Sequence, residues 1–237
     1  MTEGRNLNRM SHLPGRRTIP ELYVVTDTVI GRGRSHAEIA AAASAGGAGI
    51  IQLRDKHLAP EALLREAVAV REALSSSDAL FVVNDSLDVA IASCADGVHL
   101  GQSDGSVTEA RAAAEAAAHV GFLIGVSVGC VEEAFRAVDE GADYVALGPV
   151  FSTTSKEDAG AARGLLILRE IREALSTVPL VAIGGIGPAN VQDVFRAGAD
   201  SAAVISAVVG QDDVAAAARG MVALIERVRG PGVGTLR

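Results

Sequence analysis

Residues Asn84–Asp104, NDSLDVAIASCADGVHLGQSD, read as the end of one strand, a short helix, a second strand and that strand's end. The run SCADGVHL inside it (93–100) returns as EGADYVAL (140–147) and AGADSAAV (197–204), with AGGAGIIQL (45–53) a degenerate copy. Each copy ends a helix on Gly or another small residue, a common helix stop, and turns at once into an apolar run.

Outward from this stretch the pattern holds along the chain. ELYVVTD, GIIQLRD, ALFVVND, DGVHLG, FLIGVSV, DYVALGPV, PLVAIGG and SAAVIS are strand-like, and each is followed by a helix-like segment. Ser35 is the candidate N-cap of the first helix. Strict βα alternation predicts a parallel sheet, and strands apolar on both faces predict one covered on both sides. Residues 20–228 give eight units of about 26 residues, near the lower size of a (β/α)8 barrel. The expected fold is therefore α/β, a single TIM barrel. An open doubly wound sheet is the alternative, but TDTVIGRGR follows the first strand where GxGxxG would be expected. Residues 1–19 read as a disordered extension with arginines but no apolar signal-peptide core, and 229–237 as a disordered Gly-rich tail.

Composition narrows the function. The core must be aliphatic, because the 237 residues are 49% hydrophobic with no Trp, five Phe and two Tyr. A net charge of -8 argues against a nucleic-acid surface. No apolar run approaches membrane length, so a cytoplasmic protein is expected, with room for a homo-oligomer. Cys94 and Cys130 are expected to be reduced core residues. Of the 21 basic residues only Lys56 and Lys156 are lysines, and an ammonium can approach a phosphate as a compact charge.

In a barrel of this kind the active site lies at the C-terminal ends of the strands. Polar residues collect at those ends: Asp27, Gln52, Arg54, Lys56, Asn84, Asp85, His99, Gln102, Asp104, Ser127, Gly184, Gly185 and Ser206. Gln52, Arg54 and Lys56 alternate and so share a face. Asp85 and Asp104 suit Mg²⁺, which takes one or two carboxylates together with water and phosphate; they equally suit helix N-caps. The segment FSTTSKEDAGAARG (151–164) carries Thr153, Thr154, Ser155 and Lys156, and its length points to a functional loop able to close as a lid. Gly184-Gly185 and Val204-Ile205-Ser206 end the last two strands, where barrels commonly build a phosphate site.

Together these blocks resemble the thiamine phosphate synthase (thiamine-phosphate pyrophosphorylase) family over about residues 21–210. The matching runs are YVVTD, IIQLRDK, VVNDSLDVAIASCADGVHLGQSD, IGVSV, ADYVALGPVFSTTSK, VAIGGI and AAVISAV. The resemblance implies a transferase that joins hydroxymethylpyrimidine diphosphate to hydroxyethylthiazole phosphate, giving thiamine phosphate and pyrophosphate. It implies Mg²⁺ on Asp85 and Asp104. It further implies a pyrimidine diphosphate held by Gln52, Arg54, Lys56, Asn84, Thr153, Ser155 and Lys156, with Ser127 at the pyrimidine. Arg54, Lys56, Lys156 and Ser127 would be the catalytic groups. Gly185, Ile205 and Ser206 would stand on the thiazole phosphate side, and His99 joins the substrate-binding set from its strand end. One departure is Ser127-Val128-Gly129, where the family often has Ser-Thr-His; another is Ser155 in place of Thr in the loop. The alternatives are a thiazole tautomerase-like barrel, which would want a histidine at Gly129, and a non-catalytic homologue that binds phosphate ligands. An aldolase-type barrel with Lys56 or Lys156 as Schiff-base lysine is weaker, since Lys156 sits in a polar loop.

Overall fold

The computed structural model describes residues 19–155 and 160–229, together with a two-residue antiparallel ladder pairing His12–Leu13 with Arg16–Arg17. The rest of the N-terminal extension, residues 156–159 with Lys156, and the tail 230–237 lie outside the described residues, as do the expectations that fall on them.

Eight parallel strands close into a barrel in sequence order. They are β1 (Leu22–Val25), β2 (Ile50–Leu53), β3 (Leu80–Asn84), β4 (Gly97–Leu100), β5 (Leu123–Val128), β6 (Tyr144–Leu147), β7 (Leu180–Ile183) and β8 (Ser201–Val204), with β8 pairing back onto β1. Between and after them run α1 (His36–Ala45), α2 (Pro60–Ala73), α3 (Leu87–Ala92), α4 (Val107–Ala116), α5 (Val131–Asp139), α6 (Gly164–Ala174), α7 (Val191–Arg196) and α8 (Val214–Arg229). Ser35 caps α1 as read from the sequence, its hydroxyl accepting from Glu38 N while Glu38 returns the bond.

Alternation along each strand separates two apolar layers. Ile51, Leu53, Phe81, Val83, Val98, Ile124, Val145 and Leu147 pack outward against the helices. Tyr23, Val25, Ile50, Val82, Leu123, Tyr144, Val181 and Ala203 fill the barrel interior. The core is mostly aliphatic, with Phe81 in the outer layer and both tyrosines of the chain meeting inside the barrel.

The repeated Asp has a structural cause. Asp96 Oδ2 accepts from Phe81 N of β3 at 2.7 Å and from Arg71 of α2 at 3.1 Å. Asp143 does the same for Ile124 N of β5 and Arg111 of α4, and Asp200 for Leu180 N of β7 and Arg172 of α6. Three strand pairs, β3–β4, β5–β6 and β7–β8, are thus pinned together and to a helix at the N-terminal end of the barrel. Each carboxylate satisfies a backbone N–H at the start of the neighbouring strand, a donor that would otherwise be costly to bury.

The cysteines correct an expectation. Both are free thiols, but Cys94 is exposed and Cys130 only partly covered. Cys94 ends α3 in the left-handed region, with φ of 53°, so its side chain is turned out of the core. Among the described residues no helix is long and apolar enough to cross a membrane.

Candidate active site

A cleft of about 230 Å³ opens at the C-terminal mouth of the barrel. Arg54, Lys56, Asn84, Asp85, Asp104, Ser127, Thr153, Ser155, Gly185, Ile205 and Ser206, all singled out from the sequence, line it. The structure also adds an apolar wall of Pro149, Ile183 and Ile186, which sequence reading passed over because these residues look like ordinary strand and turn positions.

Neither aspartate caps a helix. Ser86 precedes α3 without a side-chain cap, and Ser106 caps α4 in a reciprocal box with Glu109. Asp85 instead sits at φ 63°, a left-handed conformation that a residue with a Cβ rarely adopts. It follows Asn84 at the end of β3, and its N–H donates to His99 O at 2.8 Å. Asp104 turns back onto Gly101 N, its Oδ2 accepting at 2.9 Å, and a Cβ on Gly101 would lie 2.5 Å from that oxygen.

The two carboxyl groups meet. Asp85 is pushed up to about 6, first by burial and then by the hydrogen bond and negative charge of Asp104, against the opposing pull of Lys56 and Arg54. The pair therefore carries negative charge that the two cations only partly offset. Among the described residues no three His, Cys, Asp or Glu groups converge as a metal site. A cation here would take two carboxylates and complete its shell from water and ligand oxygens, which is the habit of Mg²⁺.

Arg54 and Lys56 reach the cleft from the segment after β2. That segment is held from behind. Asp55 accepts from His57 N and Leu58 N at 2.8 and 3.1 Å, and His36 bridges Thr26 Oγ1 at 2.7 Å to Asp55 Oδ2 at 3.4 Å.

The loop between β6 and α6 folds over the other side. Thr153 and Ser155 face the cleft while Thr154 is exposed. Ser155 Oγ donates to Ser206 Oγ at 3.3 Å, joining the loop to the end of β8. Gly184 and Gly185, with φ of 101° and 64°, admit this loop: a Cβ on Gly184 would lie 2.5 Å from Pro149 Cβ, and one on Gly185 2.6 Å from Ser152 O. Their first duty is thus close approach of two backbones.

Gln52 and His99 are not in the cleft wall. Gln52 is 3% exposed and donates to Tyr23 Oη at 2.7 Å. His99 lies behind Ser127, its Nε2 2.9 Å from Ser127 Oγ. Asp27, at the end of β1, accepts from Val29 N and Ile30 N and so organises its own turn. Sequence reading missed Tyr23 and Tyr144. The available signal was two phenols in an otherwise aliphatic barrel, each needing a hydrogen-bond partner.

The Ser-Val-Gly departure has a counterpart in space. A Cβ on Gly129 would stand 2.9 Å from Arg163 Nη2. The guanidinium occupies the room that a larger side chain at residue 129 would need.

Comparison with known proteins agrees with this geometry. The family described as thiamine monophosphate synthase matches residues 22–208. A thiamine-phosphate synthase of Methanoculleus marisnigri is 61% identical over 201 residues, covering 85% of this chain and 93% of the relative. One from Methanocella arvoryzae is 54% identical over 209 residues, covering 88% and 96%. The solved thiamine phosphate pyrophosphorylase from Pyrococcus furiosus superposes with a TM-score of 0.80 at 39% identity, covering 89% of this chain and 98% of that one. A solved 3-hexulose-6-phosphate synthase, at 24% identity and a TM-score of 0.64, shares the fold. The chain belongs to the thiamine monophosphate synthase family.

Proposed function

We propose that this chain joins hydroxymethylpyrimidine diphosphate to hydroxyethylthiazole phosphate, releasing pyrophosphate and forming thiamine phosphate. The observation that carries the reading is the charge pattern of the mouth. A coupled carboxylate pair, Asp85 and Asp104, faces two cations, Lys56 and Arg54, so the arrangement suits a diphosphate and its divalent counter-ion together.

Mg²⁺ held by Asp85 and Asp104 would supply charge neutralisation to the diphosphate oxygens. Lys56 and Arg54 bind those oxygens from the β2 side, and Thr153 and Ser155 offer hydroxyls from the loop. As the C–O bond breaks, the diphosphate leaves with the electron pair, and the cations stabilise the charge that develops on it. The exocyclic carbon becomes a cation supported by the ring amino group, and the thiazole nitrogen attacks it. Ile183, Ile186 and Ile205 give that cation an apolar wall with no nucleophile to trap it. Gly185 and Ser206 receive the thiazole phosphate on the β7–β8 side. Lys156 is assigned to the diphosphate by its place in the loop sequence. The protein is read as cytoplasmic.

The test is pyrophosphate release by purified protein given both substrates and Mg²⁺. Wild type turns over, and Lys56→Ala loses activity at least a hundredfold. Unchanged turnover in that variant refutes the role. A folded wild type without turnover favours the non-catalytic ligand-binding reading.

A further inference from the structure

Behind the cleft a row of buried polar groups crosses the barrel interior. Gln52 Nε2 donates to Tyr23 Oη at 2.7 Å, Tyr23 Oη lies 3.1 Å from Tyr144 Oη, Tyr144 Oη lies 3.1 Å from His99 Nδ1, and His99 Nε2 lies 2.9 Å from Ser127 Oγ. Five strands contribute to it, and it runs from the buried amide of Gln52 to a hydroxyl in the cleft wall. The packing is built for it. Gly125 on β5 is the residue that a side chain could not replace, because a Cβ there would collide with the Tyr144 phenol. The imidazole stacks on that phenol with centroids 5.6 Å apart, and the two tyrosines meet edge to face at 6.3 Å.

We propose that this row is a one-way hydrogen-bond chain in which Tyr23 and Tyr144 fix the tautomer of His99, so that Ser127 is held as a donor toward an acceptor atom of the pyrimidine. The direction follows from counting protons. Burial raises both phenols well above their ordinary range, so each keeps one proton. Tyr23 already accepts from Gln52, and among the described residues Tyr144 is its only other hydrogen-bond partner. Tyr23 therefore gives its proton to Tyr144, and Tyr144 gives its own to His99 Nδ1. The ring carries its proton on Nε2 and donates it to Ser127 Oγ. The serine hydroxyl, its oxygen engaged, points its proton into the cleft.

The reverse direction puts a proton on Nδ1 and makes Tyr23 accept twice. The Tyr23 proton is then buried without an acceptor, a costly arrangement. A ligand that presented only a donor to Ser127 would leave the hydroxyl proton without an acceptor unless the three bonds from Ser127 to Tyr23 reversed together, so the chain favours an acceptor at that point. Tyr23 and Tyr144 touch no ligand and are positioning residues. The choice of pyrimidine as the ligand rests on the proposed function; the direction of the chain does not.

Two measurements decide it. Imidazole ¹⁵N spectra of the wild-type full chain, with the His99 signals assigned by their loss in His99→Gln, should show Nδ1 as the unprotonated acceptor and Nε2 protonated. An Nδ1–H ring, or a doubly protonated ring at neutral pH, overturns the proposal. In Tyr144→Phe the Nδ1–H form should rise; an unchanged tautomer refutes the role of Tyr144. In the coupling assay Tyr144→Phe and Ser127→Ala should each lower kcat/KM for the pyrimidine diphosphate roughly tenfold, the worth of one directed hydrogen bond. The double variant should lose little more than either alone, whereas independent losses that multiply overturn the coupling. If the wild type makes no product, the proposed function falls, and the tautomer still decides the chain.

Discussion

Asp85→Asn should stabilise the metal-free protein while abolishing its activity. Asp85 rises from its ordinary 3.8 to about 6 because the folded site buries its charge beside Asp104. At face value that is about 3 kcal/mol of unfavourable interaction in the charged form. The carboxyl is only about half buried, so solvent screening reduces this to about 1–1.5 kcal/mol. The sign follows from the two states. The native protein holds this proton more tightly than the unfolded chain, so lowering pH through 6 relieves the fold, and above 6 the fold bears the whole penalty. Asn cannot ionise, can donate to Asp104 as protonated Asp does, and is among the residues best suited to the left-handed φ of 63°. For a domain of this length the expected gain at pH 8 without metal is roughly 3–5 °C in Tm. It should shrink as pH falls below 6 and vanish near 4. Mg²⁺ should raise the Tm of wild type by mass action and leave the variant unmoved. A variant with equal or lower Tm at pH 8, or one stabilised by Mg²⁺ as wild type is, would refute the account of Asp85 as a strained metal ligand.

The Arg–Asp clamps make a separate stability prediction. Asp200→Ala removes the side-chain acceptor of the buried Leu180 N and the carboxylate partner of Arg172, whose guanidinium keeps Leu175 O and Val178 O, and should cost about 2 kcal/mol in denaturant unfolding, whereas Asp193→Ala at the exposed pair with Arg196 should cost under about 0.5 kcal/mol. Gly185→Val needs φ of 64° and meets Ser152 O, so it should displace the loop and lower kcat/KM at least tenfold with the barrel intact by circular dichroism. Gly141→Ala, with φ of 101° and nothing within 4 Å, should cost only about 1 kcal/mol and leave kinetics unchanged. Removing divalent cations with a chelator should stop pyrophosphate release, and adding back Mg²⁺ should restore it; full activity in chelator would refute a Mg²⁺ role for Asp85 and Asp104.

The barrel was legible because its signal is periodic and redundant. Eight apolar runs separated by helix-like segments admit few topologies, and the recurring Ala-Asp before a strand marks the same corner three times. The function of that Asp was not legible, since its partners Arg71, Arg111 and Arg172 lie 25 to 32 residues earlier and only folding brings them together. In the site, strand-end position correctly marked the residues that face the cleft. It could not tell a wall residue from one behind the wall. Gln52 shares the face of Arg54, yet one turn of the pleat deeper its amide meets Tyr23 rather than the cleft. Nor could sequence decide whether Asp85 and Asp104 cap helices. The capping role is taken at α4 by Ser106 and Glu109.

The site concentrates what the rest of the chain avoids. Elsewhere turns with positive φ fall mostly to Gly. At the mouth an aspartate takes a left-handed backbone and two carboxylates press together. The carboxylate pair is the unfavourable feature, since burial and Asp104 disfavour the charge on Asp85, and a bound cation would relieve it. Strain of this kind persists only where surrounding structure over-determines it. Here the Asp85 N–H bond to His99 O ties the end of β3 to β4, and the same His99 ends the polar row that aims Ser127. One residue behind the wall therefore links the Asp85 side of the cleft to its Ser127 side. The bond from Asp85 uses the backbone carbonyl of residue 99, which His99→Ala keeps, so His99→Ala and Ser127→Ala should both lower pyrimidine diphosphate affinity and leave Mg²⁺-dependent stabilisation unchanged. Loss of Mg²⁺ stabilisation in His99→Ala with none in Ser127→Ala would refute a purely backbone tie between Asp85 and β4.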